Sequence, residues 1–395
     1  MPHVRSPLPV WLLGLGNLPV GLFGAMALVT LPQLLAANGV AESAIASVTA
    51  VALVPSFASF LVAPVLDWRL SRRTYAILLA SLAGLFAMAA LLVIDDLAAL
   101  TLLLFLGMAA AILNLAVVGA WLGSLVPERQ QGSLGAWLAA ANFGGFGAGA
   151  AAALFLMRSL PAPFGAVAAG GLILLPLPIY LALPPLPPDP AVARQGMGAF
   201  LRDVLSLLGD RSVRLLLVLF ALPAASFALA NTLGGLGRDF NASESMVAAI
   251  AGTGAALAGV VGSLAVPPLV HRLAPRRLYL AVGIVGALFT LSLTLVPRTP
   301  TGFAFAILGQ NLFQAAAFAV QNVVILRANG EGHALAATRF ALLSAATGLP
   351  LSYMQAIDGH VYDLGGLTGS YLVDALVSLV ACALLTPLFW RRDTA

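Results

Sequence analysis

Long apolar runs alternate along the whole chain with short segments that hold most of the charges. A helix that crosses a bilayer needs about 20 consecutive, mostly apolar residues. Strands of a membrane β-barrel would instead alternate polar and apolar positions over about ten residues. The pattern therefore predicts an all-α membrane protein with twelve transmembrane helices. We place them at residues 10–36, 44–66, 74–94, 98–124, 133–157, 162–183, 213–236, 245–270, 278–296, 301–326, 333–357 and 366–390.

Composition excludes several other classes of protein. Hydrophobic residues make up 61% of the chain and charged residues only 9%, against about 25% charged residues in an ordinary soluble domain. A soluble protein of 395 residues could not cover its surface with so little charge. The composition thus excludes a soluble enzyme and a nucleic-acid-binding module. Cys382 is the single cysteine, which excludes a disulfide scaffold.

The arginines predict the orientation in the membrane. All 19 basic residues are arginine, and 16 of them fall on one side when the connections are assigned alternately to the two sides. The other side has only Arg158, Arg238 and Arg298. By the positive-inside rule, both termini lie in the cytoplasm. We expect a multi-pass protein of the bacterial inner membrane whose first run is retained as a span.

The longest connection divides the predicted spans into two sets of six. We therefore expect an N-terminal half at 1–183, a cytoplasmic linker at 184–212 and a C-terminal half at 213–395. The linker begins with a proline-rich, extended stretch. Apolar residues then recur at helical spacing from Met197 to Leu208. This spacing predicts a short amphipathic helix on the cytoplasmic membrane surface.

The two halves are related by sequence. PVLDWRLSRRTY at 64–75 follows the second span, and PPLVHRLAPRRLY at 267–279 follows the eighth. With one inserted residue they match at Pro, Leu, Arg, Leu, Arg-Arg and Tyr. An acidic residue followed by basic ones resembles the loop between spans 2 and 3 of the major facilitator superfamily. The resemblance implies that superfamily's fold, two six-helix pseudo-repeats around a central cavity.

A narrower resemblance rests on four short motifs spread along the chain. They are Leu18-Pro19, FLVAPVLD at 60–67, ATRFALLS at 337–344, and Gly359. These motifs are similar to those of the AmpG-type muropeptide permeases and the acetyl-CoA transporters grouped with them. The resemblance implies a secondary active transporter that moves a polar organic solute by alternating access and uses the proton gradient.

One segment departs from that family. Its members have three charged residues near a tryptophan and a proline at the end of span 4. Here Trp121 and Pro127 remain, while the charged positions are Gly119, Leu122 and Ser124. Because of this difference, we retain a second substrate class as an alternative. Siderophore or metal-chelate importers of the same superfamily are also similar to this chain.

Five amides in the tenth predicted span mark the candidate substrate cavity. At 100° per residue they fall within about one third of the helix circumference. They are Gln310, Asn311, Gln314, Gln321 and Asn322. We predict that they line a water-filled cavity, because polar groups in a spanning helix usually face one. The resemblance adds spans 1, 4 and 7, which carry Asn17, Asn114 and Asn231. The alternative is interhelical hydrogen bonding, at about 0.6 kcal/mol per bond.

Three charged residues inside or at the end of predicted spans could act in transport. Asp374 lies well inside span 12, and Asp358 lies near the outer end of span 11. A buried carboxylate without a partner favours its protonated form, so both are candidates for proton coupling. The alternative is a carboxylate held by a neighbouring helix. Arg339 would either meet an anionic group of the substrate or extend to the cytoplasmic surface.

Charged residues of the two repeated loops form the candidate cytoplasmic gate. They are Asp67, Arg69, Arg72, Arg73, Arg272, Arg276 and Arg277. The four histidines, at positions 3, 271, 333 and 360, are scattered, so we predict no metal site. The sequence has no Walker motif, and we predict no cofactor.

These patterns together predict a monomeric transporter, not an enzyme. Its partners would be a small-molecule substrate and the lipid bilayer, with no nucleic acid. A membrane receptor without transport activity, or an intramembrane enzyme, is the remote alternative. An enzyme would need a nucleophile or an acid–base pair within the spans, and no His or Cys pairs with an intramembrane carboxylate in the sequence.

Overall fold

The structure is a computed structural model that describes residues 7–186, 197–330 and 335–390. Some residues used in the predictions lie outside these ranges. They are His3, Arg5, Arg194, His333, Arg391, Arg392 and the proline-rich stretch from 187 to 190. The amphipathic linker helix and both sets of predicted spans are described almost completely.

Six long helices form the first half and confirm its six predicted spans. They are α1 (Val10–Ala37), α2 (Glu42–Leu61), α3 (Arg72–Leu92), α4 (Leu97–Leu125), α5 (Glu128–Ser159) and α6 (Ala162–Ala182). Side chains set where some of them begin. The Ser71 hydroxyl accepts the N–H of Thr74 at 3.1 Å at the start of α3, and Asp96 accepts that of Ala98 at 3.0 Å at the start of α4.

The linker and the second half contain the remaining helices. They are α7 (Met197–Ser206), α8 (Arg211–Ala221), α9 (Leu229–Thr232), α10 (Glu244–Val270), α11 (Pro275–Leu295), α12 (Pro300–Asn329) and α13 (Ala336–Trp390). Among the described residues, ten helices are long and apolar enough to cross a membrane. The difference from the predicted twelve arises at α8–α9 and at α13.

The seventh predicted span is not one continuous helix, so the count of twelve helices is not reproduced there. The chain leaves helical geometry between Ala221 and Leu229, where Pro223 interrupts the pattern and Phe227 has a φ of 48°. Three backbone carbonyls of this break accept bonds from side chains of other helices. Ala221 accepts from Tyr353, Ala224 from Cys382, and Phe227 from Gln314. Hydropathy detected the apolar run but carried no signal for these partners.

The last two predicted spans lie within α13, which is divided at Gly366. This glycine has a φ of 61° and a ψ of −167°, a conformation that a residue with a Cβ rarely adopts. The chain folds back there. The hydrogen bond that the Ser370 hydroxyl donates to the carbonyl of Asp358, at 2.8 Å, shows that the two segments lie side by side. In a straight helix, twelve residues would separate these two groups by about 18 Å. We call the two parts the first and second arms of α13.

The two halves contact each other closely at one end of the bundle. This end contains the loops around residues 67–71 and 271–274 and the starts of α5 and α13, and we call it the Arg-rich end. Small residues permit the contact: a Cβ on Gly119 would overlap the ring of Phe340, and one on Gly123 would come within 2.7 Å of Leu326. The result is a tightly packed layer between the halves.

The linker helix α7 packs on the protein at the same end. The ring of Phe200 stacks on that of Trp68, with centroids 5.9 Å apart. Phe200 is buried, and Leu335 packs in the same small cluster. Leu205 and Leu208 remain exposed. The apolar face is thus divided between a protein contact and the surroundings, where the sequence alone indicated only a membrane contact.

Candidate functional site

The amide stripe of α12 faces the interior of the second half. Gln310 is fully buried and donates to the hydroxyl of Thr290 on α11 at 2.7 Å. Gln314 is also buried and donates to the carbonyl of Phe227 at 3.1 Å. Both side chains therefore bind neighbouring segments, which is the interhelical alternative to a substrate contact.

The remaining amides of α12 differ from one another. Asn311 is half-buried and donates to the carbonyl of Ile307 in its own helix. Asn322 donates to the carbonyl of Gly135 at 3.3 Å and so connects α12 to α5 of the other half. The stripe is continuous on the helix surface, but its members serve different contacts.

Gln321 faces a small cavity within the second half. The cavity has a volume of about 10 Å³ and is lined by Ser226, Tyr279, Phe318, Gln321 and Thr347, among others. The Ser226 hydroxyl is buried there and has no hydrogen-bond partner among the residues that the structure describes. This space can hold about one water molecule. Gln321 is therefore the amide of the stripe that faces an open polar site in this conformation.

The amides predicted in the first half join helices to one another. Asn17 donates to the carbonyl of Leu138 at 2.9 Å, which connects α1 to α5. Asn114 donates to the carbonyl of Ala76 on α3 at 2.9 Å. Its side-chain oxygen lies 3.1 Å from the hydroxyl of Tyr180. This hydroxyl also donates to Gly16, so α1, α3, α4 and α6 meet in one buried network.

Tyr180 was missed in the sequence because a single tyrosine in an apolar helix has no pattern of its own. Its hydroxyl bonds to partners in two other helices, Gly16 on α1 and Asn114 on α4. Asn231 behaves in the opposite way. It lies on the short helix α9 beside the broken segment, and its side chain is exposed. Of the predicted cavity residues, Asn231 is the most exposed.

Arg339 lies at the Arg-rich end. It is 5% exposed, and its guanidinium donates to the carboxylate of Asp210 at 3.2 Å. Asp210 ends the linker and also caps α8 by accepting the N–H of Ser212 at 2.7 Å. Arg339 therefore joins the second half to the linker. The contact with an anionic substrate group remains a prediction.

The acidic residue of the first repeated loop bridges the two halves. Asp67 is buried, and its carboxylate accepts the backbone N–H groups of Ala337 and Thr338 at 3.1 and 2.8 Å. It also accepts the Thr338 hydroxyl at 2.8 Å and lies 3.5 Å from the guanidinium of Arg72. A carboxylate at the first turn of a helix is favoured by the helix dipole. Asp67 thus caps α13 from the opposite half.

The environment of Asp67 has opposing effects on its ionisation. Burial has the largest effect and raises the pKa of the Asp67 carboxyl. The charge of Arg72 and the hydrogen bonds from Thr338 and Ala337 lower this pKa. The contact therefore depends on Arg72 and these donors to hold the carboxylate in its charged form.

The other predicted gate residues do not join this cluster in the same way. Arg69 is exposed, with its guanidinium 4.3 Å from the centre of the Trp68 ring. Arg73 is half-buried, and Arg272 is exposed. Arg276 and Arg277 are half-buried at the start of α11, and Arg276 lines a surface groove of about 230 Å³ together with Arg327. The structure thus brings Asp67 and Arg72 together.

Asp358 and Asp374 are both buried, each with 2% of its surface exposed. They lie on the two arms of α13, near the end of the bundle opposite the Arg-rich end. No hydrogen bond to either oxygen of Asp358 occurs among the described residues, and the same holds for Oδ1 of Asp374. Within the same ranges, no three His, Cys, Asp or Glu side chains cluster as metal ligands would.

Comparisons with known proteins address the fold. No protein-family model matches the sequence, and a comparison with curated proteins finds no match. Solved structures do match along the whole chain. The human organic anion transporter MFSD10 (TETRAN) has a TM-score of 0.72 at 19% identity and covers 98% of this chain and 100% of its own.

Two further structures extend this similarity. The E. coli fucose:proton symporter FucP has a TM-score of 0.73 at 15% identity, with coverage of 96% and 98%. A bacterial homologue of the iron transporter ferroportin, in an outward-facing state, has a TM-score of 0.64 at 17% identity, with coverage of 98% and 100%. The chain therefore has the major facilitator fold, as the repeated loops predicted. This fold, with ten helices among the described residues that are long and apolar enough to cross a membrane, is that of a multi-pass membrane protein.

Proposed function

We propose that the protein is a secondary transporter of a polar organic solute that works by alternating access. The contact of Asp67 with the start of α13 is the observation that supports this most directly. It joins the two halves through a few directional bonds at one end of the bundle. Alternating access needs a contact of this kind, which can close one end and later release it.

Orientation follows from the arginine distribution as part of the same proposal. The Arg-rich end is the cytoplasmic one, and both termini lie on that side. With that end packed, the conformation described here is closed to the cytoplasm. Cysteines placed at Arg276 and at Asp95 in a Cys382→Ser background test this. An impermeant reagent added outside intact cells should label position 95 and leave position 276 unlabelled.

The AmpG-type motifs support a cell-wall-derived solute, such as a muropeptide, driven by the proton gradient. The ATRFALLS motif supplies the two backbone N–H groups that bind Asp67, so two of the resembling motifs meet at the contact between the halves. The departure at Gly119 has a packing role, because this position faces the ring of Phe340. In this conformation, the position that is charged in the family is therefore part of the packed contact between the halves.

Reconstitution tests the transport proposal and the substrate class together. Liposomes that contain the protein are given a pH gradient and radiolabelled anhydro-muropeptide. We expect accumulation above equilibrium that a protonophore abolishes, with protein-free liposomes as the control. Accumulation of an iron-loaded siderophore and not of the muropeptide would favour the alternative importer. Binding of either compound without uptake would favour a receptor and contradict the proposed transporter.

A further inference from the structure

The fold-back of α13 brings together two segments that each carry a buried carboxylate. The Ser370 hydroxyl bonds to the carbonyl of Asp358, so Ser370 faces the first arm. Residues four apart lie on the same face of a helix. Asp374 is four residues from Ser370 and therefore points toward the arm that carries Asp358. Four residues span about 6 Å along the helix axis, so Asp374 lies a little more than one turn beyond Ser370.

The two carboxylates lack the partners that buried charges require. Both oxygens of Asp358 and Oδ1 of Asp374 have no hydrogen-bond partner within the described parts of the chain. When both carboxylates are ionised, their charges have the same sign. Burial of an isolated ionised carboxylate is strongly unfavourable, and two like charges close together add to this cost. The pair can relieve both by binding a proton.

The charged and titratable groups around the pair lie toward the nearer end of the bundle. Arg298 donates to Thr368 at 2.8 Å and lies 6.0 Å from the centre of the Tyr371 ring. Asp239, at the end of the segment after α9, accepts the hydroxyl of Tyr362 at 2.8 Å. We call Arg298, Asp239 and these two partners the outer cluster. Within the described ranges, neither Arg298 nor Asp239 pairs with Asp358 or Asp374.

A buried tyrosine of the second arm lies beside Arg298 and about one helical turn from Asp374. Tyr371 is 1% exposed, and its hydroxyl has no hydrogen-bond partner in the described structure. It lies three residues from Asp374 and thus on the same face of the second arm. An unpartnered hydroxyl at this position can pass a proton, through water, between the outer cluster and the carboxylates.

We infer that Asp358 and Asp374 form one proton-binding site between the two arms of α13, and that this site carries the coupling proton. The coupling role rests on the proposed proton-driven transport. The site holds at least one proton when it is dry. It releases the proton when a change between states admits water or moves the arms apart, which gives the unequal binding that coupling requires.

Infrared spectroscopy can observe the proton directly and without a substrate. A protonated carboxyl has a carbonyl stretch that an ionised one lacks, and it shifts on exchange into D₂O. We expect this band in the reconstituted wild type at neutral pH. It should weaken in Asp358→Asn or Asp374→Asn and disappear in the double variant. Asp363→Asn is the matched control, because Asp363 is exposed on the same arm as Asp358.

Transport of the labelled solute that the wild type accumulates then tests the coupling. Each single Asn variant should reduce accumulation to passive equilibration while counterflow exchange continues at the wild-type rate. Asn has the shape of a protonated Asp, and counterflow confirms that each variant is folded. The Asp363→Asn control should accumulate solute normally.

Two results would overturn the inference. One is the absence of the infrared band in the wild type, or its persistence in the double variant. The other is normal accumulation by both single variants. A wild type that never accumulates solute under a proton gradient would instead contradict the proposed transport, and the infrared result would still decide whether the pair binds a proton.

Discussion

The two repeated loops of this protein make opposite kinds of contact at equivalent places. In the first half, Asp67 caps the start of α13 with three accepted hydrogen bonds. In the second half, the matching position is Val270, which packs against Gly132 near the start of α5. Each loop thus meets the first turns of a helix in the other half. One contact is polar and directional, and the other is apolar.

This difference indicates how closure is divided between the two contacts. Hydrogen bonds to Asp67 exist only in one geometry, so a small displacement breaks them. The contact of Val270 with Gly132 depends on the apolar surface area that it buries, so it tolerates a small sliding of one helix past the other. We expect the Asp67 contact to determine whether the Arg-rich end is closed and the Val270 contact to add stability without controlling the change.

The largest effect should come from Asp67→Ala. The substitution removes the acceptor of two N–H groups and the charge beside buried Arg72, at about 3–5 kcal/mol for a broken buried pair. Val270→Ala, the matched variant, should cost about 1–2 kcal/mol through lost apolar contact. A cysteine at Leu326, which is buried between the halves, reports opening through its maleimide labelling. Equal labelling in the two variants would contradict the proposed division.

A smaller effect should follow from closing space at the helix contact itself. A Cβ on Gly135 would come within 2.7 Å of a Val323 methyl and 3.0 Å of the Val323 nitrogen. We expect Gly135→Ala to destabilise the closed end by about 1–3 kcal/mol, the usual cost of overpacking. Its effect on labelling at position 326 should be weaker than that of Asp67→Ala.

Two glycines serve as controls for that substitution. A Cβ on Gly132 would lie 3.3 Å from Val270, so Gly132→Ala should act in the same direction but less. Nothing lies within 4 Å of a Cβ on Gly198 in the linker, so Gly198→Ala should leave labelling unchanged. A response of all three variants to the same extent would show that overpacking is not the cause.

The smallest effect should come from the linker helix, which covers only the Asp67 side. Phe200→Ala removes the stack on Trp68, a contact of about 1 kcal/mol. We expect faster trypsin cleavage after Arg202, with little change in labelling at position 326. Leu205→Ala is the control, since Leu205 is 65% exposed and makes little contact. If Phe200→Ala opens the end as much as Asp67→Ala, the helix is part of the gate.

Most of the fold could be predicted, because it depends on local properties of the chain. Apolar runs long enough to span a bilayer, the segregation of arginines and the repeated loops are all visible in consecutive residues. The candidate site was only partly predictable. Hydropathy could not show that the carbonyl of Phe227 is free to accept Gln314, since that depends on a break in the chain 87 residues away.

The sequence by itself determined that this is a helical membrane protein with two related halves. It also singled out the side chains that are costly to bury, because each needs a partner whatever the fold. The tertiary structure alone decided what those partners are. Asp67 finds its donors about 270 residues away, and the segments that carry Asp358 and Asp374 lie side by side only because α13 folds back at Gly366. Such pairings come from packing between distant segments, to which no local pattern is sensitive.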